Sequence, residues 1–302
     1  MIQYSNLDRE MGTGDHFKSG TKILFFVFIF CFSACRPMLI MGQTNQRVML
    51  QFEKKLKNEN IKFWYEQNEN NKYLKLLRSK FPIDSIVKDA QTDMDKTLKI
   101  LNWVYCQWQH DGNNQPRRND AISILEKAQK GKNFRCVEYG IVVAACSNAI
   151  GLKARVLGLK TKDVETTQFG AGHVVTEVFL NDLKKWVFVD GQYDAMPVLN
   201  DIPLNAVEFQ KAIVENYDQL VILSSKITKE QYTDWIYRYL HYFDISFDNR
   251  EGIRKKQTSD GKRFLMLVPL GAKRPTVFQI KYPIANVRYT HSLEDFYLPP
   301  YK

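Results

Sequence analysis

Between Thr92 and Asp190 the hydrophobic period changes once, and that change constrains the fold more than any other feature. The stretch "TDMDKTLKILNWVYCQWQHDGNN" opens on a Thr or Asp cap and sets Leu98, Leu101, Val104 and Trp108 at helical intervals. "NDAISILEKAQKGK" (Asn119 to Lys132) reads as a second capped helix ended by Gly131, and a third runs from about Cys136 to Asn148 and closes at Gly151. After Gly151 the pattern becomes that of strands. "KARVLGL" (153–159), "HVVTEVFL" (173–180) and "KWVFVD" (185–190) are rich in β-branched and aromatic residues and bounded by polar or glycine-containing turns. Three helices followed by three consecutive strands predict an α+β core, helices packed on an antiparallel sheet.

Around this core the expected organisation is a leader over 1–34, a helical segment over 35–94, the core over 95–198 and a C-terminal α/β extension over 199–302 packed on it. In 46–87 the spacing suggests two short helices broken at Pro82. In the extension, helical patterns ("AVEFQKAIVENY", "KEQYTDWIYRYLHYF") mix with strand patterns ("RFLMLVPL", "TVFQIKY", "NVRYTH").

The first residues carry an export signal. Lys18 and Lys22 precede the apolar run "ILFFVFIFCF", and small residues lead into Cys35. The run is short of the roughly 20 residues that span a bilayer, although a spanning anchor that continued through "RPMLIMG" would have to bury only Arg36. "FSAC" is similar to a bacterial lipobox, which makes Cys35 the expected lipidated first residue of an exported protein anchored by lipid in the periplasm or at the cell surface; a start at Met11 gives the leader an ordinary length. Lys and Arg number 43 against 33 Asp and Glu, three of each lie in the leader, and so the excess of +10 belongs to the remainder. A basic surface suits anionic headgroups or acidic polymers. Nucleic acid is excluded as a partner by the export signal and by the lack of zinc-finger spacing, ribonucleoprotein aromatics or long Lys/Arg blocks. With no CxxC pair and no even cysteine ladder, neither a metal nor a disulfide framework is expected; Cys106 and Cys146 read as buried free thiols within apolar helices.

Cys136 stands at a helix start, where unpaired N–H groups and the macrodipole favour a thiolate, and Arg135 precedes it. If Asn181-Asp182 forms a two-residue hairpin turn, residues whose numbers add to 363 face each other and His173 lies opposite Asp190. A carboxylate beside an imidazole holds its tautomer and stabilises the protonated ring, the orienting role found in cysteine and serine hydrolases. Taken singly, such a cysteine is more commonly a small buried hydrophobe and such a histidine a bystander. Glu177, on the face of His173, reads as supporting or structural, and His241 and His291 as packing residues.

The order of cysteine at a helix start, histidine beginning a strand and aspartate ending the next resembles the transglutaminase-like, papain-fold superfamily, with "FRCVEYG", "GLKARVLGL", "GHVVTEV" and "KKWVFVDGQYD" as the matching pieces. The resemblance implies Cys136 as nucleophile, His173 as general base and then acid, and Asp190 as the orienting acid. It also implies an oxyanion held by the Cys136 backbone N–H and by a donor from the end of the upstream helix, His110 or Trp108. Val137 follows the cysteine where animal transglutaminases carry tryptophan, and no calcium-binding loop is recognisable, so the likeness does not extend to a calcium-dependent cross-linker. The expectation is a cysteine amidase or peptidase acting through a thioester on a protein, peptide or other amide, without a cofactor. Acyl transfer to an amine would use the same residues, and a non-catalytic surface-binding module could use the same fold.

Overall fold

The computed structural model describes residues 47–55, 60–68 and 71–300. The leader and Cys35 lie outside the described residues. Helices α1 (Lys72–Lys80), α2 (Ile83–Val87), α3 (Asp93–Tyr105), α4 (Ala121–Ala128) and α5 (Cys136–Ala149) come first. Strands β1 (Lys153–Lys160), β2 (Gly172–Leu180) and β3 (Lys185–Val189) follow directly. Next are β4 (Met196–Leu199), β5 (Ile202–Pro203), α6 (Ala206–Glu215), β6 (Leu220–Leu223) and α7 (Lys229–Ile236), which a 3-10 turn (Tyr237–Tyr239) prolongs. The chain closes with β7 (Tyr242–Ser246), β8 (Phe264–Leu267), β9 (Val277–Phe278), β10 (Tyr282–Pro283), β11 (Val287–Thr290) and α8 (Leu293–Phe296).

The main sheet has the order β11-β8-β7-β1-β2-β3, antiparallel apart from the β8–β11 pair. Residues 199–302, expected to pack on the core, therefore also supply three strands of its sheet. A three-stranded sheet β5-β4-β6 and the pair β9-β10 flank it. No helix among the described residues is long and apolar enough to cross a membrane.

Helix α5 is the centre of the core. Every residue after Cys136 in it is buried, as a helix that is apolar on all faces must be. One face meets β1 and β2, the other α1, α3 and α4. Gly140 permits the close approach to β2: a Cβ there would lie 3.0 Å from Val174 Cγ1 and 3.1 Å from the Val175 carbonyl oxygen. Caps at Thr92 and Asp120 fix the starts of α3 and α4, each accepting from the backbone N–H three residues on.

Several expectations change. Residues 47–55 are extended, not helical, and the two helices around Pro82 are α1 and α2. Val48, Leu50 and Phe52 alternate, and Leu50 and Phe52 pack against the aromatic layer beneath the sheet. Helix α3 ends at Tyr105, so Trp108 lies beyond it, and Cys106, at its C-cap, is exposed while Cys146 is buried. The inward stripe of α3 is Ile100, Leu101 and Val104, which leaves the residue after the last turn facing outward. The β2–β3 register is also displaced. Thr176 faces Val189 and Leu180 faces Lys185, so paired numbers add to 365 and four residues, Asn181 to Lys184, make the turn. Lys184 takes φ 50°, and both Asn181 nitrogens donate to Asp93 Oδ2 at 2.9 Å. The turn is thus shaped by a distant helix start as well as by its own residues.

Candidate active site

A displacement of two residues leaves every side chain on its original face. His173 and Asp190 are consequently diagonal neighbours, not directly opposed, and still within reach. His173 Nε2 lies 2.8 Å from Asp190 Oδ2, with the imidazole 3% exposed and the carboxylate fully buried. The second ring nitrogen is left for Cys136, whose sulfur interacts with the same imidazole and helps to raise its pKa. Burial would depress the pKa of His173, but the charge of Asp190, its hydrogen bond and the Cys136 sulfur outweigh it and push the pKa up to about 10. The raised imidazole thus stands beside a half-buried thiol.

The start of α5 is fixed by Glu138, whose Oε2 accepts the Arg135 backbone N–H at 3.1 Å and whose Oε1 accepts Arg135 Nη2 at 2.9 Å. The guanidinium is therefore bound to Glu138, and the cationic partner of Cys136 is His173. Asp190 is held three ways. Besides His173, the Gln192 backbone N–H donates to Oδ1 at 2.9 Å and the Tyr232 hydroxyl donates to Oδ2 at 2.9 Å. Trp235 stands edge-on to the His173 ring, with centroids 4.8 Å apart, and Tyr239 lies 5.9 Å away.

Of the two oxyanion candidates, His110 is exposed, bridges to Phe134, and has its pKa lowered by burial and by the charge of His173. Trp108 is 7% exposed and packs on Tyr139 and Phe134 with centroids 4.4 and 5.8 Å away. Its Nε1–H is buried and has no acceptor among the described residues. Both residues line an open groove of about 930 Å³ together with Gln192 and Tyr193, which follow Asp190 in the chain. A separate cavity of about 510 Å³ lies between α5 and strands β1 and β7, with side chains of both charge signs in its wall and without Cys136, His173 or Asp190. Glu177 is structural, paired with Arg155 at 2.7 Å where both are fully buried.

Residues 83–191 match the family model of the transglutaminase-like superfamily core. This span of the chain is similar to a transglutaminase-like core. Among solved structures it is similar to a proposed cysteine protease from Cytophaga hutchinsonii, at 12% identity and TM-score 0.33, over 58% of this chain and 56% of that one. A structure described as a TGase matches at 20% identity and TM-score 0.31, over 45% of this chain and 34% of that one. A proposed protease from Parabacteroides distasonis matches at 14% identity and TM-score 0.27, over 39% and 24%. The chain thus spans between about a quarter and a little over half of the length of these proteins. No curated protein matches it.

The matched span contains Cys136, His173 and Asp190, whereas Tyr232, Trp235 and Tyr239 come from α7 and the turn after it, beyond that span. Sequence reasoning missed Tyr232. Its position on the apolar stripe of α7 hides it, although a fully buried tyrosine must find an acceptor and so pointed to one. Tyr232→Phe is expected to leave the fold intact and to slow alkylation of Cys136 by roughly ten- to a hundredfold, since a hydrogen bond to a charged group contributes about 1.5–3 kcal/mol. Alkylation rates measured across pH check this; a profile superimposable on wild type would reduce Tyr232 to a packing residue.

Proposed function

We propose that the protein is a cysteine-dependent hydrolase of amide or peptide bonds. The observation that supports it most is the 2.8 Å bond from His173 to Asp190 on a ring that also meets the Cys136 sulfur. In this reading Cys136 Sγ attacks the carbonyl carbon, and His173 delivers its proton to the departing amine. The thioester that remains is opened by water, His173 taking the water proton and returning it to the thiol. Asp190 keeps the ring oriented throughout. The Cys136 backbone N–H and the unpartnered Trp108 Nε1–H are the donors for the oxyanion, ahead of the exposed His110. Catalysis by the chain's own side chains requires no cofactor. The leader pattern up to Cys35 supports export and lipid anchoring, which would place this chemistry on substrates outside the cytoplasm.

Thiol labelling of the mature protein tests the reading without a known substrate. With iodoacetamide near pH 6, Cys136 should react at least roughly tenfold faster than Cys106. Cys106 is the appropriate control because it is the more exposed thiol, while burial raises the pKa of Cys146 and silences it. Equal rates at Cys136 and Cys106 would remove the nucleophile.

A further inference from the structure

We infer that the preferred substrate is an acidic peptide, with a carboxylate close to the scissile amide that is read by Lys226. This rests on the cysteine-hydrolase reading and specifies its substrate. The groove of about 930 Å³ adjoins the site on two sides, through Tyr139, one turn along α5 from Cys136, and through Gln192 and Tyr193. Its wall contains no Asp or Glu. Four amide side chains, Gln107, Gln109, Asn133 and Gln192, provide the mixed donors and acceptors that suit a peptide backbone. His110 has its pKa lowered and is neutral near pH 7, which leaves Lys226 as the one permanently charged side chain among the residues lining the groove.

Lys226 is placed rather than dangling. Its Nζ sits 5.3 Å from the centroid of the Tyr105 ring, and among the described residues it joins no ion pair. The carboxylate near it, Asp194, is 7% exposed, feels the charge of Lys226 without forming an ion pair with it, and accepts from Asn102 Nδ2 at 2.8 Å and Ser225 Oγ at 3.2 Å. A groove whose lining carries one ammonium and no acid attracts anionic substrate groups and repels cationic ones.

Epoxysuccinyl peptides carrying either glutamate or lysine, on either side of the reactive ring, test this through the rate of Cys136 alkylation in the full mature protein. The glutamate probe should react roughly three- to tenfold faster than the lysine probe in one orientation, and the preference should shrink at high salt. Lys226→Met should abolish the preference and Lys226→Glu reverse it, with iodoacetamide labelling of Cys136 unchanged in both. Equal rates for the two probes in wild type, or a preference that survives Lys226→Glu, would overturn the assignment while leaving the cysteine chemistry standing. Failure of every probe to alkylate Cys136 would overturn both.

Discussion

Replacing His173 with alanine should slow alkylation of Cys136 at neutral pH by the largest factor of any single change outside the cysteine itself, of the order of 10²–10⁴. Among the described residues the imidazole is the cationic group that interacts with the sulfur, because Arg135 is engaged by Glu138. Asp190→Asn should also slow labelling strongly, yet for a different reason. The side chain keeps its size and can still meet Tyr232 and the Gln192 N–H, but an amide can present N–H to His173 Nε2 and so stabilise the wrong tautomer. The ring would then lose the proton that the pair depends on. Both variants should unfold cooperatively in urea. The order of damage is informative: His173→Ala removes the proton acceptor, whereas Asp190→Asn only misdirects it. If Asp190→Asn labelled like wild type, while His173→Ala changed nothing but stability, the contact would be a cross-strand structural bond and the fold a scaffold without this chemistry.

How much of this was legible depends on how local each signal is. The helices and strands from Thr92 to Val189 announce themselves through caps, glycine stops and a switch of period, all read within a few residues. Cys136, His173 and Asp190 could be brought together because face is fixed by parity, and an error of two residues in register preserves parity. The register itself was not local. It follows from Lys184 in the left-handed region and from Asp93, nearly ninety residues upstream, binding Asn181. Residues 47–55 misled because their apolar positions fit two periods, and only the alternation of Val48, Leu50 and Phe52 distinguishes a strand-like segment from a helix. The third bond to Asp190 depends on where α7 docks, which no spacing in the sequence encodes. Likewise, that Lys226 forms no ion pair depends on the fold, since Asp194, 32 residues earlier in the chain, comes near it but accepts from Asn102 and Ser225.

Glu177→Ala should be the most destabilising single substitution in the sheet, costing about 3–5 kcal/mol, because it strands a fully buried guanidinium without its counter-charge. The pair joins more than two residues. Arg155 gives Nε and Nη2 to Glu177 Oε2 at 3.0 and 2.7 Å and Nη1 to the Phe296 carbonyl at 2.9 Å, with its guanidinium carbon 4.2 Å from the Trp186 ring centroid. Glu177 Oε1 in turn accepts from the Ala206 N–H and the Tyr297 hydroxyl, each at 3.2 Å. The cluster thereby ties the start of α6 and the end of α8 to β1 and β2, on the face of the sheet opposite α5. An ion pair alone can often be exchanged for apolar side chains of similar volume at little cost. Here the double variant Arg155→Met with Glu177→Leu should recover only part of the loss, since it leaves the Ala206 N–H, the Tyr297 hydroxyl and the Phe296 carbonyl without partners. Urea denaturation of the two single variants and the double variant measures this directly. A double variant as stable as wild type would mean that packing alone fastens the C-terminal segment to the sheet, and a Glu177→Ala loss below about 1 kcal/mol would mean that water reaches Arg155 once its partner is gone.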